Sequence, residues 1–409
     1  MRNGDSESGK PKLCSDYFRQ PIEESESTMS RRKPTPDYGE QVEDLIFQAA
    51  DLPEGAAKVA IFEEAVALAD LHQDVPLAYE TRMEMLWPAY HASRQDLLLV
   101  HFAWCLAKLD ADDDLDAHDA LWAYRWVLDT MPGFPDIPRA QIESAIADMM
   151  ARYEHHGASL RPCYLLHRRV YRGLGDRDAA VAAHKKIAKA KRDWLCDDLE
   201  TEKAFAVFFA IFSEKYAEGV KLGEKWLAEP FVSDHFRGLI LTDLLLPLCR
   251  VGRWDDAAAF QKLSLPMLKK ERQSSGNFAL HAEYLALVGQ FAPAVKAFEG
   301  HLLEAGTEPN RITRFDYFRA GKFLCARLDA AGKTKIKFRV PDSLKIPGAE
   351  AGRIHSDLLA EWLDGQLTDL VHRIDTRNGT PYFAGELAKV EELISLSEKY
   401  RKSKAKKAP

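Results

Sequence analysis

Apolar residues recur at helical spacing along almost the whole chain from Gly39 onward. In the first such segment, Val42, Leu45, Ile46 and Ala49 follow the i, i+3, i+4, i+7 pattern that places apolar side chains on one face of an α-helix. Breaks between segments fall at Gly, Pro or Asp clusters, which favour turns. After the helix that begins near Gly39, the pattern predicts helices over about 56–71, 75–91, 95–109, 116–130, 138–155, 160–174, 177–192, 198–212, 215–228, 235–250, 254–272, 277–288, 291–305, 312–330, 350–375 and 382–400.

The helical pattern gives way to another one near residue 335. Residues 335–340 alternate between polar and apolar side chains, which is typical of a strand, and Pro341 ends the alternation. We therefore expect a linker with one short strand over 331–349, followed by a C-terminal helical pair over 350–400. The basic segment 401–409 is expected to be a disordered tail.

The first 38 residues have a different composition. They are rich in Ser, Glu, Pro and Lys, which predicts a disordered N-terminal arm over 1–38. The start of the chain lacks the apolar segment of a secretory signal. Met29 is an alternative start of translation, because the residues after it lead directly into the first helix.

A short phrase recurs along the chain. A small residue and usually an aromatic precede a small residue that opens the next amphipathic helix, and one degenerate copy begins with Glu214 instead of a small residue. Those opening residues lie 39, 38 and 37 residues apart, and they are Ala180, Gly219, Ala257 and Ala294. Recurrence at a nearly fixed period is the signature of a helical-repeat array. The sequence therefore predicts stacked pairs of helices.

The residues of this phrase resemble the tetratricopeptide repeat (TPR). Ala294, together with Gly289, Phe298 and Phe278, is the best match, and the phrase around Ala180 is the next. The period is longer than the usual repeat of about 34 residues. The resemblance implies an all-α fold over 39–330, a TPR-like α-solenoid in which antiparallel helix pairs form a right-handed superhelix.

Three segments resemble an uncharacterised family of bacterial TPR proteins that is common in actinobacteria. They are residues 101–142, 244–257 and 375–380. The resemblance implies a fold and no activity. Members of that family often carry an extra cysteine pair near the segment that matches 193–198, whereas only Cys196 is present here, so a metal role does not carry over.

Composition and charge restrict the function classes. The chain of 409 residues is 46% hydrophobic and 29% charged, with a net charge of −7, which does not favour nucleic acid or an anionic membrane as a partner. The longest apolar stretch, 204–212, is too short to span a bilayer. No two cysteines form a CxxC pair, which gives no zinc signal. Most cysteines lie in apolar helical patterns, where a reduced cysteine acts as a small hydrophobe, which favours a reducing, cytoplasmic location. The six cysteines are Cys14, Cys105, Cys163, Cys196, Cys249 and Cys325.

Local motifs give no sign of a metal, a cofactor or a catalytic centre. The aspartates of 110–116 resemble the start of a calcium loop, but Leu115 and Leu121 stand where an EF-hand requires Gly and Glu. His155 and His156 have no evident third ligand. Phosphate-loop, dinucleotide-binding and nucleophile-elbow motifs are absent from the sequence. We therefore expect a protein that is not an enzyme and has no cofactor.

The candidate binding site is a basic cluster on an otherwise acidic chain. Three arginines share one first helix, and three further basic residues follow at i, i+4 and i+7, which would place them on one face of the next helix. Arginines in a concave groove could grip carboxylates or phosphates bidentately. The alternative is a solvated helix face. The cluster comprises Arg168, Arg169, Arg172, Lys185, Lys189 and Arg192.

Two other sets of residues receive structural interpretations. Asn378 and Gly379 are expected to form the turn between the last two helices. The tryptophans lie mostly in apolar helical patterns and are expected in the core. They are Trp87, Trp104, Trp122, Trp126, Trp194, Trp226, Trp254 and Trp362.

The function predicted from these observations is that of a non-catalytic scaffold or adaptor that binds a protein or peptide on the concave face of the solenoid. The basic cluster would suit a partner with an acidic segment. Three alternatives stay open at this point. They are a ligand-responsive, peptide-sensing regulator, a nucleic-acid-binding protein, which the net charge does not favour, and an enzyme built on a helical scaffold.

Overall fold

The computed structural model describes residues 37–407 apart from 113, 271–274 and 334–335, and this part of the chain is all-α apart from one small sheet. The helices are α1 Tyr38–Ala50, α2 Ala56–Leu71, α3 Val75–His91, α4 Gln95–Leu109, α5 His118–Thr130, α6 Arg139–His155, α7 Arg161–Gly173, α8 Arg177–Ile187, α9 Leu199–Phe212, α10 Tyr216–Leu227, α11 Asp234–Asp243, α12 Leu245–Arg250, α13 Trp254–Lys270, α14 Ser275–Leu287, α15 Phe291–Glu299, α16 Leu302–Thr307, α17 Arg311–Ala330, α18 Ser356–Asn378 and α19 Tyr382–Lys407.

Most of the predicted helices are confirmed to within a few residues. Two predicted helices are each divided in two: 235–250 forms α11 and α12, and 291–305 forms α15 and α16. The predicted N-terminal arm, Met29 and Cys14 lie outside the described residues, except that α1 already begins at Tyr38.

Helices of a pair are joined by a recurring left-handed turn. Between α7 and α8, Gly175 has a φ of 68°, and the amide of Asp176 donates to the carbonyl oxygen of Tyr171, which closes a Schellman motif. The same positive φ and the same hydrogen-bond pattern recur at Gln73, Ser93, Glu214, Gly252 and Gly289. The turns from Gly175 to Gly289 repeat the intervals seen in the sequence, so the phrase marks one kind of turn.

The first helices of successive pairs contact one another in order. Contacts join α3 to α5, α5 to α7, α9 to α11, α11 to α14 and α14 to α17. The gap between α7 and α9 is bridged by the guanidinium of Arg169, which lies 4.1 Å from the centroid of the Phe205 ring. Each first helix packs on its own second helix as well, as α7 does on α8 and α14 on α15. We call the face along which the first helices follow one another the inner wall.

The array bends back on itself, so that α17 meets the end of α7. The side chain of Asn310 packs directly against the backbone of Gly133, which follows α5. A Cβ atom placed on Gly173, the last residue of α7, would lie 3.7 Å from Cδ1 of Ile312, near the start of α17. The start of α17 therefore lies beside the end of α7 and the turn that follows α5.

The last turn of α18 fastens this closure. The guanidinium of Arg377 donates to the carbonyl oxygens of Pro132, Phe134 and Ile137, at distances of 2.5–3.0 Å. Gly379 ends α18 with a φ of 68°, which confirms the expected turn between the last two helices. A residue more than 230 positions away in sequence thus donates to three backbone acceptors of this segment.

Helix α19 crosses the edge of the array and touches the turns in succession. The expectation of a disordered tail from 401 is wrong as far as Lys407, because the helix continues to that residue. The hydroxyl of Ser397 donates to the carbonyl oxygen of Leu287 at 2.7 Å, which ties the helix to α14. The ion pairs of α19 with the edge are Glu386–Arg177, Lys389–Glu214, Glu392–Arg250 and Lys404–Asp255.

The small sheet lies between α17 and α18. Strand β1, Lys337–Arg339, pairs antiparallel with β2, Arg353–His355, and the central pair of Phe338 and Ile354 is buried. The predicted short strand is present, but its partner strand was not predicted, and the C-terminal helical pair begins at Ser356. The apolar residues of that pair belong to the same core cluster as α9–α17.

Two glycines of the recurring turn give a matched test of the contact with α19. We expect Gly175→Ala to lower the free energy of unfolding by about 3 kcal/mol, because a Cβ would both strain the left-handed backbone and collide with the Tyr382 side chain. Gly252→Ala, where nothing lies within 4 Å of the added Cβ, should cost only about 1 kcal/mol. Urea denaturation of both variants measures the difference, and equal losses would contradict the packing of α19 on this turn.

Candidate functional site: the inner wall

Two arginines of the predicted basic cluster are committed to internal contacts. Arg168 is 3% exposed, its guanidinium lies 3.2 Å from Nδ1 of His184, and burial lowers its pKa to about 10. Arg169 forms a 2.5 Å ion pair with Asp129 and stacks on Phe205. Neither guanidinium is free to grip an acidic partner.

The second half of the cluster does not form the predicted helix face. Helix α8 ends at Ile187, so Lys189 and Arg192 lie in the following loop and do not continue the face of Lys185. Arg192 pairs with Glu202, whereas the two lysines are exposed. The prediction of one shared cationic surface is wrong, because a single helix does not carry these three residues.

Buried arginines of the first helices stack on aromatic rings. Arg82 lies 3.9 Å from the centroid of Trp104 on the neighbouring α4, whereas Arg125 lies 3.7 Å from that of Trp122 on its own helix. Both are at most 6% exposed, and Arg168 follows at the same interval of 43 residues. The contacts of Arg82 and Arg168 with aromatic rings join neighbouring helices. The sequence signal for them was this interval, which an inspection of local charge does not reveal.

An aromatic shelf occupies the first part of the inner wall. Trp87 and Tyr90 lie three residues apart on α3, and Trp126 lies on α5 with its ring centroid 5.2 Å from that of Trp87. Residues at this spacing share a helix face. Trp87 is 36% exposed, so the expectation that it belongs to the core is wrong, and the same holds for Trp194, which is 57% exposed. The aromatic shelf is hereafter Trp87, Tyr90 and Trp126.

Three charged side chains from three first helices interact electrostatically with one another, and we call them the charged cluster. They are Arg172 of α7, Asp243 of α11 and Asp316 of α17, and Arg172 interacts electrostatically with both aspartates. Within the described part of the chain, none of the three side chains forms a hydrogen bond or an ion pair. Arg172 and Asp243 are half-buried, while Asp316 is exposed.

Burial perturbs both carboxylates of the charged cluster. Burial raises the pKa of Asp243 to about 7, against an opposing effect of Arg172. Burial also raises the pKa of Asp316 to about 6, with Arg319 opposing. Water reaches the Asp316 carboxylate, yet surrounding protein still desolvates it.

Other charged side chains near the charged cluster form ion pairs. Glu283 of α14 forms a 3.2 Å ion pair with Arg319 of α17, and Glu386 of α19 pairs with Lys389 at 2.7 Å. Tyr382 of α19 completes the surroundings, because its phenol interacts electrostatically with Asp316 and Arg172. Sequence reasoning included Arg172 but missed Asp243 and Asp316, because an isolated Asp in an amphipathic helix is typical of a solvated face.

Nucleophilic and metal-binding side chains do not converge at this wall. Cys105, Cys163, Cys249 and Cys325 are buried, and burial raises the pKa of each thiol to about 12. Burial likewise lowers the pKa of His167 and His281 to about 4. The described residues contain no group of three or more His, Cys, Asp or Glu side chains arranged to hold a metal ion.

Comparison with known proteins adds no family to this description. No protein-family model matches the chain, and no curated protein matches it either. None of the helices in the described part of the chain has both the length and the apolar composition that crossing a membrane requires.

Asp243 makes the stability of the folded protein depend on pH. Its pKa in the folded state, about 7, exceeds that of an unfolded chain, so folding favours the protonated form and stability falls as pH rises from about 4 to 7. We expect Asp243→Asn to be more stable than the wild type by about 1–3 kcal/mol at pH 8, with the difference shrinking towards pH 4. Urea denaturation at several pH values measures this, with the exposed Asp178→Asn as the control. A stability difference between Asp243→Asn and the wild type that does not vary with pH would contradict the burial of Asp243.

Proposed function

We propose that this protein is a non-catalytic, TPR-like helical-repeat binding protein that holds a protein or peptide partner along its inner wall. The observation that carries the proposal is the aromatic shelf: Trp87, Tyr90 and Trp126 line neighbouring first helices and remain partly accessible to solvent. Tryptophan and tyrosine are the residues that most often dominate binding energy at protein interfaces.

The recurring turns support the TPR-like part of the proposal. Their intervals of 39, 38 and 37 residues and the ordered contacts between first helices are what a stack of helix pairs requires. The free cysteines among the described residues favour a cytoplasmic protein. The proposed partner does not need an acidic segment, because Arg168 and Arg169 already have partners within the protein.

A second candidate function is that of a ligand-responsive regulator. The charged cluster favours it, because its three side chains form no hydrogen bond or ion pair among the described residues, and a ligand of opposite charges would supply partners. Binding of a ligand to the charged cluster would then change how α7, α11 and α17 pack against each other, and partner binding elsewhere on the array would change.

The protein-binding proposal is tested by selecting peptides from a random library on the wild type and measuring their affinities by fluorescence anisotropy. We expect the affinity for the Trp126→Ala variant to be lower by about tenfold or more, because removing an interface tryptophan commonly costs 2 kcal/mol or more.

Trp194→Ala is the matched control. Trp194 is more exposed than Trp126 and stacks on His118, about 12 Å along α5 from Trp126. Its removal should change the affinity by less than about twofold. Peptides that lose affinity only in Trp194→Ala, or equally in both variants, would contradict binding at the inner wall. Circular dichroism confirms that both variants are folded.

A further inference from the structure

A groove runs between α10 and α13, the second helices of two neighbouring pairs. Its volume is about 470 Å³, and six of its eight lining residues are apolar. Helix α13 contributes Phe260, Leu263 and Met267, and the end of α10 contributes Leu227 and Ala228. We call this the outer groove, because second helices form its two walls.

The apolar residues of α13 form a row on one face of that helix. Phe260, Leu263 and Met267 follow the i, i+3, i+7 spacing that places side chains on a common face. Leu263 is 59% exposed, and the other two are half-buried. Leu241 of α11 also lines the groove and is only 5% exposed. Single exposed apolar residues are normal, whereas a row of them beside a buried apolar residue marks an interaction site.

The dimensions of the outer groove suit a helix. The row from Phe260 to Met267 extends over seven residues, which is about 10 Å or two helical turns. A groove between two helices accepts the ridge of side chains on a third helix. An amphipathic helix presents apolar anchors at i, i+3 or i+4 and i+7 over the same length. A partner helix of two or more turns would therefore cover the row.

The charges at the outer groove favour an acidic partner. Arg237 of α11 lines the groove, and its Nη1 atom donates to the carbonyl oxygen of Leu227 at 3.3 Å. Glu224, the acidic lining residue, already pairs with Arg253 at 2.6 Å. Lys221 lies one turn before Glu224 on α10 and is exposed. In the part of the chain that the structure describes, neither Arg237 nor Lys221 forms an ion pair, so carboxylates of a partner would find two free cations.

We propose that the outer groove docks an acidic amphipathic helix of a partner protein. Its apolar side chains pack on Leu263 and Met267, and a carboxylate of the helix pairs with Arg237. None of the residues of the outer groove belongs to the aromatic shelf or to the charged cluster, so this docking site does not depend on binding at the inner wall.

A display library of amphipathic helices with randomised sequences tests the outer groove. Helices that bind the full-length wild type but not Leu263→Ser are retained, and their affinities are measured by fluorescence anisotropy. We expect the retained helices to carry apolar residues at i, i+3 or i+4 and i+7 with an excess of Asp and Glu, and their affinity to fall as salt is added. The proposal is overturned if no helix depends on Leu263, or if the retained helices are neutral or basic.

Arg237→Gln tests the charge separately, because glutamine can still donate to the carbonyl oxygen of Leu227. We expect it to weaken an acidic helix by about threefold or more. The same helix with its Glu residues replaced by Gln should bind the wild type and Arg237→Gln equally, since the paired carboxylate is then absent. An acidic helix that binds both proteins equally would show that Arg237 takes no part and would overturn the proposal.

Two control variants locate the bound helix. Leu303→Ser removes a leucine that is 48% exposed on α16 and lies outside the groove, and it should change the affinity by less than about twofold. Trp126→Ala should also leave the helix bound, whereas a loss of affinity there would place the helix on the inner wall and overturn the proposal. Circular dichroism confirms that each variant is folded.

Sedimentation velocity tests the alternative that a second copy of this chain covers the outer groove. We expect the wild type and Leu263→Ser to have the same oligomeric state. A wild-type dimer that dissociates in Leu263→Ser would identify a second copy as the occupant and overturn the proposal of a separate partner.

Discussion

The contact between the C-terminal segment and the middle of the chain is the constraint on which the architecture depends. Arg377 donates hydrogen bonds to three carbonyl oxygens within 132–137, and the neighbouring start of α17 packs against the end of α7. Without this closure, the start of α17 would not lie beside the end of α7, and the electrostatic interaction between Arg172 of α7 and Asp316 of α17 would be lost.

The recurring left-handed turn determines which residues face the inner wall. Because each turn has the same Schellman geometry, the first helix of each pair takes an equivalent position, and side chains three residues apart face the same wall. Helix α19 packs across these turns at the edge, through ion pairs and the Ser397 hydrogen bond. The wall is therefore lined by side chains of the first helices, and α19 covers the edge of the array.

Much of the fold was accessible from the sequence, because helix periodicity and turn residues are local properties. The candidate site was not, since it depends on contacts between residues of different helix pairs. Arg168 was predicted as a free cation because its charge is visible in the sequence, whereas its burial against Phe209 is not. Asp243 and Asp316 gave no local signal. The same limit explains the missed β2 strand, whose only ladder partner is β1 in the described chain.

Closure of the array is tested most directly by cross-linking its two contacting ends. In the Gly133→Cys, Asn310→Cys double variant, the two Cβ atoms would lie close enough for a disulfide, because the Asn310 side chain already packs on Gly133. The account predicts that mild oxidation forms an intramolecular disulfide, seen as faster migration on a non-reducing gel, with the circular dichroism spectrum unchanged. Failure to form it, with both thiols still reactive towards a thiol reagent, would contradict the closed array.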